Sequence, residues 1–266
     1  MRRHFHKMHG LGNDFVIVDA REQAFDVTPS RAKAICDRRT GVGCDQLIVL
    51  EASERADLRM RIWNSDGGEV ESCGNATRCV VQLTGAQRID SDGGLLKGKD
   101  LGAEVEVVLP EPRFCWDEIP LAYPMDTAAL PMAWDGLEQP FAVNVGNPHL
   151  VFFVPDARDV ALNELGPRIE NDPAFPQRIN VNVATYVHNL LKLRTFERGA
   201  GETLACGTGA CATAVAAIAT KRAESPVHVD MTGGSLIVAW APGEPIRMRG
   251  SATHVFEGDL DLEALA

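Results

Sequence analysis

The seven cysteines of this 266-residue chain, at positions 36, 44, 73, 79, 115, 206 and 211, include no Cys-x-x-Cys pair. That leaves zinc-ribbon and thioredoxin-like readings with little support. No run of apolar residues approaches the roughly 18 needed to cross a bilayer as a helix. The N-terminal Phe15-Val16-Ile17-Val18 is too short for a signal h-region and follows Asn13-Asp14. Basic residues are in deficit, and the formal net charge is −11, which argues against a nucleic-acid partner because phosphate binding needs a basic surface. Low-complexity tracts are lacking. These absences lead to an expected cytoplasmic location, free thiols and no metal site. What remains is 45% hydrophobic and 24% charged, ordinary for a globular protein of one large or two small domains.

The chain repeats itself. Gly68-Glu69 stands just upstream of Cys73-Gly74, and Gly201-Glu202 stands at the same distance from Cys206-Gly207. A strand-like stretch precedes each pair, Leu58 to Trp63 and Leu190 to Phe196. A helix-like stretch follows each cysteine, Asn75 to Thr84 and Thr208 to Thr220. Further upstream, Asn13 of Gly12-Asn13 lies 60 residues before its cysteine, and Asn147 of Gly146-Asn147 lies 59 before its own. An apolar run follows each, Phe15 to Val18 and Leu150 to Val154. Gly-Glu and Gly-Asn are common turn dipeptides, but three such matches in one order predict duplication. Further strands are expected over 46–50, 103–109 and 235–240, and a capped helix over 31–36 behind Thr28-Pro29-Ser30. Two Pro-rich stretches between Pro110 and Pro140 divide the halves. The boundary between them is expected at 115/116.

A cysteine at a helix start meets the positive end of the helix dipole and unpaired backbone N–H groups, which favour thiolate. The glycine after it lets a ligand approach the backbone, and the same N–H groups can hold a carboxylate. Cys73-Gly74-Asn75 and Cys206-Gly207-Thr208 therefore each offer a reactive sulfur beside an anion cradle. Two such groups suit inversion of a stereocentre, which removes a proton from one face and returns one to the other. Packing is the expected role of Cys36, Cys79, Cys115 and Cys211, and it is preferred over a functional role at Cys44, which follows a glycine turn.

The residues carrying this pattern resemble those of the diaminopimelate epimerase family. The similar segments are Met8 to Phe15, Gly41 to Gln46, Asn64 to Gly67, Cys73 to Cys79, Gly146 to His149, Glu197 to Thr203 and Ala205 to Gly209. The resemblance implies an α/β (α+β) fold of two pseudo-symmetric domains, each a β-sheet wrapped around a central helix, with the active site in the cleft between them and the C-terminal stretch packing back on the first, so that the domains are 1–115 with 253–266, and 116–252. It implies interconversion of LL- and meso-2,6-diaminopimelate without pyridoxal phosphate, with no cofactor and no metal, in a homodimer. By motif, Cys73 and Cys206 are the acid–base pair. Gly74, Asn75, Gly207 and Thr208 cradle the reacting carboxylate. Asn13, Gln46, Asn64, Asn147, Asn180, Glu197 and Arg198 bind the remaining polar groups, Glu197 suiting an ammonium and Arg198 a carboxylate. His149 and Glu197 are expected to tune the cysteines. His149 also reads as a satisfied core histidine, and Glu197-Arg198 as an exposed ion pair. Phe256 stands at the expected dimer contact, where tyrosine is common in the family. The chain departs from the family's pattern between Cys73 and Gly93, which is shorter than the corresponding stretch after Cys206, and at Met248-Arg249-Gly250-Ser251. Rival readings are a racemase of a smaller amino acid such as proline, a cysteine hydrolase with His149 as base, and an anion-binding module.

Overall fold

The computed structural model describes residues 2–71 and 73–263. It forms two compact units, Met1–Val107 with Gly250–Ala266, and Val108–Arg249. The sequence predicts these boundaries at 115/116 and 252/253.

The first unit opens with strands β1 (Arg2–Gly10) and β2 (Asn13–Asp19). Helix α1 (Pro29–Cys36) follows, then β3 (Gln46–Glu51), β4 (Leu58–Asn64) and β5 (Glu69–Val70). Helix α2 (Gly74–Thr84) leads into β6 (Arg88–Ser91) and β7 (Gly94–Asp100). Strand β8 (Val105–Leu109) crosses the unit boundary, with the alternating burial expected of a half-buried strand. The second unit holds the short β9 (Ala133–Trp134) and β10 (Leu137–Glu138), then β11 (Phe141–Asn144) and β12 (Pro148–Phe153). Helix α3 (Leu162–Glu170), β13 (Asn180–Val187), β14 (Leu190–Glu197) and β15 (Gly201–Thr203) come next. Helix α4 (Gly207–Ala219) leads into β16 (Val227–Met231), β17 (Gly234–Ala239) and β18 (Ile246–Gly250). Strand β19 (Thr253–Asp261) returns to the first unit and pairs antiparallel with β1.

The two units share one pairing plan. In the first, β1 pairs antiparallel with β2, β2 parallel with β3, and β3 antiparallel with β4. β4 then pairs antiparallel with β5 and parallel with β6, and β6 antiparallel with β7. In the second, β11, β12, β13, β14, β15, β16 and β17 repeat that sequence of antiparallel and parallel pairings step for step. The duplication read from a few dipeptides is thus carried by the whole topology.

Local chemistry explains the elements. Phe15 to Val18 is wholly buried, as befits a strand covered on both faces. Thr28 caps α1, its Oγ1 accepting from the Arg31 N–H at 3.2 Å, with Pro29 following it. Gly85 ends α2 with φ +71°, a conformation that glycine adopts without a Cβ penalty. Helix α4 is rich in Ala, Gly and Thr and is buried on nearly every side, packing against β11 to β14, β16 and β17. Small side chains let the strands close around it. Helix α2 takes the same place in the first unit, against β1, β2, β7 and β19. Each unit carries its own apolar cluster. The first is built around Val16, Ile35, Leu47 and Val49, the second around Leu150, Phe152, Leu162 and Val181.

Cys79 and Cys211 are buried inside their helices, and Cys36 and Cys44 pack together with sulfurs 3.4 Å apart. Cys115 departs from expectation and is exposed. Its carbonyl accepts the Glu118 and Ile119 N–H groups in a turn that buries Ile119 and leaves the thiol in solvent. Among the described residues no helix is long and apolar enough to cross a membrane.

Candidate active site

Both candidate cysteines are N-caps. Cys73 precedes α2 with φ −149° and ψ 114°, and Cys206 precedes α4 with φ −116° and ψ 110°. The carbonyl of each accepts the first helical hydrogen bond, from Thr77 and from Ala210, at 2.9 Å. A short strand after a glycine turn delivers the chain to each cap.

In the first unit, Cys73 is half-buried and its Sγ donates to Asn13 Oδ1 at 3.7 Å. Asn75 Nδ2 donates to the same oxygen at 3.2 Å. The orientation of Asn13 is set from behind. Its Nδ2 donates to Asp45 Oδ2 at 2.9 Å, and since a carboxylate can only accept, the amide oxygen must face the cysteine. Asp45 is held by the Asp14 N–H and by Arg38, and Asp14 by Lys7 and Arg38. Asp14 stays ionised to about pH 2: burial opposes this, and its bonds to Arg38 and Lys7 outweigh it. Asn75 Oδ1 accepts from Arg78 Nη2 at 2.9 Å, and Arg78 is fully buried and also reaches the Ser251 carbonyl. Gln46 Nε2 donates to Asn64 Oδ1 at 2.8 Å, while the buried Gln46 Oε1 has no partner among the described residues. The first unit therefore brings Cys73, Gly74, Asn75 and Asn13 together, and joins Gln46 to Asn64.

In the second unit, Cys206 is buried. Its Sγ accepts the Gly209 N–H at 3.3 Å and lies 3.5 Å from Thr208 Oγ1. The helix start was expected to favour thiolate here, and the structure reverses that. Burial pushes the Cys206 thiol well above its ordinary range, and the charge of Glu197 adds to it. The bonds from Thr208 and Gly209 pull the other way and lose. Glu197 also accepts a hydrogen bond from Thr203 Oγ1.

His149 is fully buried. Its Nε2 donates to Asn147 Oδ1 at 2.9 Å, and its Nδ1 accepts from Asn182 Nδ2 at 3.0 Å, which defines the Nε2–H tautomer. Burial, and then the charge of Arg198, lower its pKa to about 3, so the ring is neutral. Asn180 Nδ2 donates to the Pro148 carbonyl and its Oδ1 accepts the Arg198 N–H at 2.9 Å. Arg198 is exposed, with Nη1 donating to the Gln177 carbonyl. Phe256 is exposed on β19 and packs edge-on against Phe5.

Sequence reasoning missed the supports. Asp45 and Arg78 hold Asn13 and Asn75. Asn182 bonds His149, the Leu150 carbonyl and Thr195 Oγ1. A signal existed for Asn182: it and Asn180 alternate within an otherwise apolar, fully buried stretch of β13, where a buried amide must have partners.

Fold and sites together define a duplicated α/β protein in which the central helix of each unit starts on a cysteine. A family model described as diaminopimelate epimerase matches residues 5–103 and 141–255. The chain belongs to the diaminopimelate epimerase family, a family of isomerases. It is 61% identical to a diaminopimelate epimerase of Rhizorhabdus wittichii, over 99% of this chain and 97% of that one. It is 60% identical to another of Sphingopyxis alaskensis, covering 98% of each. Among solved structures, a PhzF-family phenazine biosynthesis protein of Enterococcus faecalis superposes with a TM-score of 0.69 at 13% identity, covering 98% of this chain and 100% of that one. A hydroxyproline epimerase of Agrobacterium vitis gives 0.66 at 12% identity, covering 97% and 92%. At such identities these two speak to the fold alone.

Proposed function

We propose that this diaminopimelate epimerase-family protein interconverts LL- and meso-2,6-diaminopimelate by proton transfer at one α-carbon, with Cys73 and Cys206 as the acid–base pair. The observation that carries the reading is the repeat itself: two units of one topology, each capping its central helix with a cysteine. Each half, taken as 1–115 with 253–266 and as 116–252, contributes one cysteine to the pair. The thiol of Cys206 is held protonated and delivers a proton to one face of the carbon, while Cys73, ionised by loss of its own S–H proton to solvent, takes the α-proton from the other. In the reverse direction the roles exchange.

The α-hydrogen is a very weak acid, so charge developing on the α-carboxylate must be stabilised. The amides at Gly74-Asn75 and Gly207-Thr208 are preorganised donors for it. Glu197 suits an ammonium of the substrate and Arg198 a carboxylate, and Asn64, Asn147 and Asn180 offer further polar groups. The unpartnered Gln46 Oε1 is an acceptor suited to an ammonium. Asn13 positions Cys73, and His149 acts through Asn147. The mechanism calls on no cofactor. In the cell the reaction serves lysine and cell-wall precursor synthesis, and we place the protein in the cytoplasm as a homodimer with Phe256 at the contact.

The test is conversion of the LL to the meso isomer by the purified chain without added pyridoxal phosphate, with α-hydrogen exchange followed in deuterated water. Exchange and conversion together support the reading. Exchange confined to proline or hydroxyproline would favour a smaller-substrate racemase. Binding without exchange would leave an anion-binding module.

A further inference from the structure

The pairing of β1 with β19 brings together side chains from the two ends of the chain. His4 stands opposite Asp259, and His6 opposite Glu257. Strand alternation puts His4 and His6 on one face and Phe5 and Lys7 on the other. A register shift between Lys7 and Met8 brings His254 alongside His6, although it lies three positions from Glu257. One atom each from His4, His6 and Glu257 lie within 4.8 Å of one another. The individual separations are 3.9 Å from His4 Nε2 to Glu257 Oε2, 3.6 Å from His6 Nδ1 to the same oxygen, and 3.1 Å from His6 Nδ1 to His254 Nε2. Ligands on a tetrahedral zinc ion, bound at 2.0–2.1 Å, sit about 3.3 Å from each other.

We propose that His4, His6 and Glu257, with His254 in reach as a fourth ligand, bind a divalent transition-metal ion of the zinc type that clips the first strand of the chain to its last. Imidazole and carboxylate are the donor set such ions take. Asp259 Oδ1 lies 3.3 Å from His4 Nδ1, which turns His4 Nε2 toward Glu257 in the carboxylate–histidine–metal manner. All these groups are on strands rather than loops, so the geometry is supported by the ladder.

Zinc titration by calorimetry on the full chain tests the site, with cobalt(II) as a spectroscopic probe because the chain also has free thiols. The expected result is one equivalent bound, a rise in Tm on adding zinc, and cobalt d–d bands without thiolate-to-metal charge transfer. Loss of an outer partner of a metal-bound imidazole typically costs about 10–100-fold in affinity, so the His4→Gln/His6→Gln variant should bind at least about 100-fold more weakly and show no zinc-dependent rise in Tm. Its metal-free Tm, equal to that of the wild type, controls for folding. Equal binding by variant and wild type, a thiolate charge-transfer band, or no stoichiometric binding by the wild type would each overturn the proposal.

Discussion

The carboxylate of Glu197 and the thiol of Cys206 act on each other: beyond the effect of burial, the negative charge of Glu197 holds the proton on the sulfur. Replacing Glu197 with Gln removes that charge and leaves the burial. The pKa of Cys206 should then fall, so the alkylation rate of this thiol at fixed pH should rise and its pH profile should move to lower pH. Peptide-resolved alkylation across a pH series measures it. A profile that stays in place would remove Glu197 from the list of groups acting on this cysteine.

Cys73→Ala and Cys206→Ala should each lower epimerisation by at least about 10²–10⁴-fold, the typical worth of one general acid or base. Each leaves one face of the carbon without a proton partner. Steady-state turnover of both isomers is the measurement, and near-native turnover in either variant would sink the two-base mechanism.

Arg198→Lys keeps the charge and loses the planar fork. The guanidinium is exposed and its backbone N–H is fixed by Asn180, so stability should change little. KM for diaminopimelate should rise well beyond what charge conservation suggests. Unchanged kinetic constants would place Arg198 away from the substrate.

Stability should fall as the medium is acidified, and His149 has a specific share in this. Its folded pKa, about 3, lies below the ordinary 6.5, so the unfolded chain binds more protons between those values. Unfolding free energy therefore rises with pH across that window, and the contribution is lost as pH falls from about 6.5 toward 3, by on the order of a few kcal/mol. His149→Gln should flatten this part of the profile in urea titrations at several pH values. An unaltered slope would mean that the ring is protonated in the fold.

Asn182→Leu should destabilise the second unit by about 1–3 kcal/mol or more, because it takes away the buried partner of His149 Nδ1 and of Thr195 Oγ1. Gly209→Ala should act at the same place. A Cβ there would lie 2.6 Å from Asn182 Oδ1 and 2.8 Å from Thr195 Oγ1, so the start of α4 or the network beneath it must shift. Denaturation midpoints check both, and values equal to the wild type would mean the network bears no load.

The sequence alone determined the parts whose causes are local. Apolar runs such as Phe15 to Val18, the Thr28-Pro29 cap, the Gly85 stop and the two Cys-Gly helix starts are written within a few residues of where they act, and the repetition of the apolar runs and the Cys-Gly starts exposed the duplicated plan. Tertiary structure alone decided what depends on distant groups. The helix-start effect on Cys206 is genuine, visible in the Gly209 bond, but burial summed over the surrounding fold overrides it. Asp45 fixes the orientation of Asn13 from 32 residues away, and Asn182 the tautomer of His149 from 33. Cys115 is exposed because the turn around it buries Ile119 instead. The His4–His6–Glu257 cluster exists only because β19 returns to β1. Capping and periodicity are properties of neighbours in sequence, whereas burial, charge and hydrogen-bond partners are properties of neighbours in space.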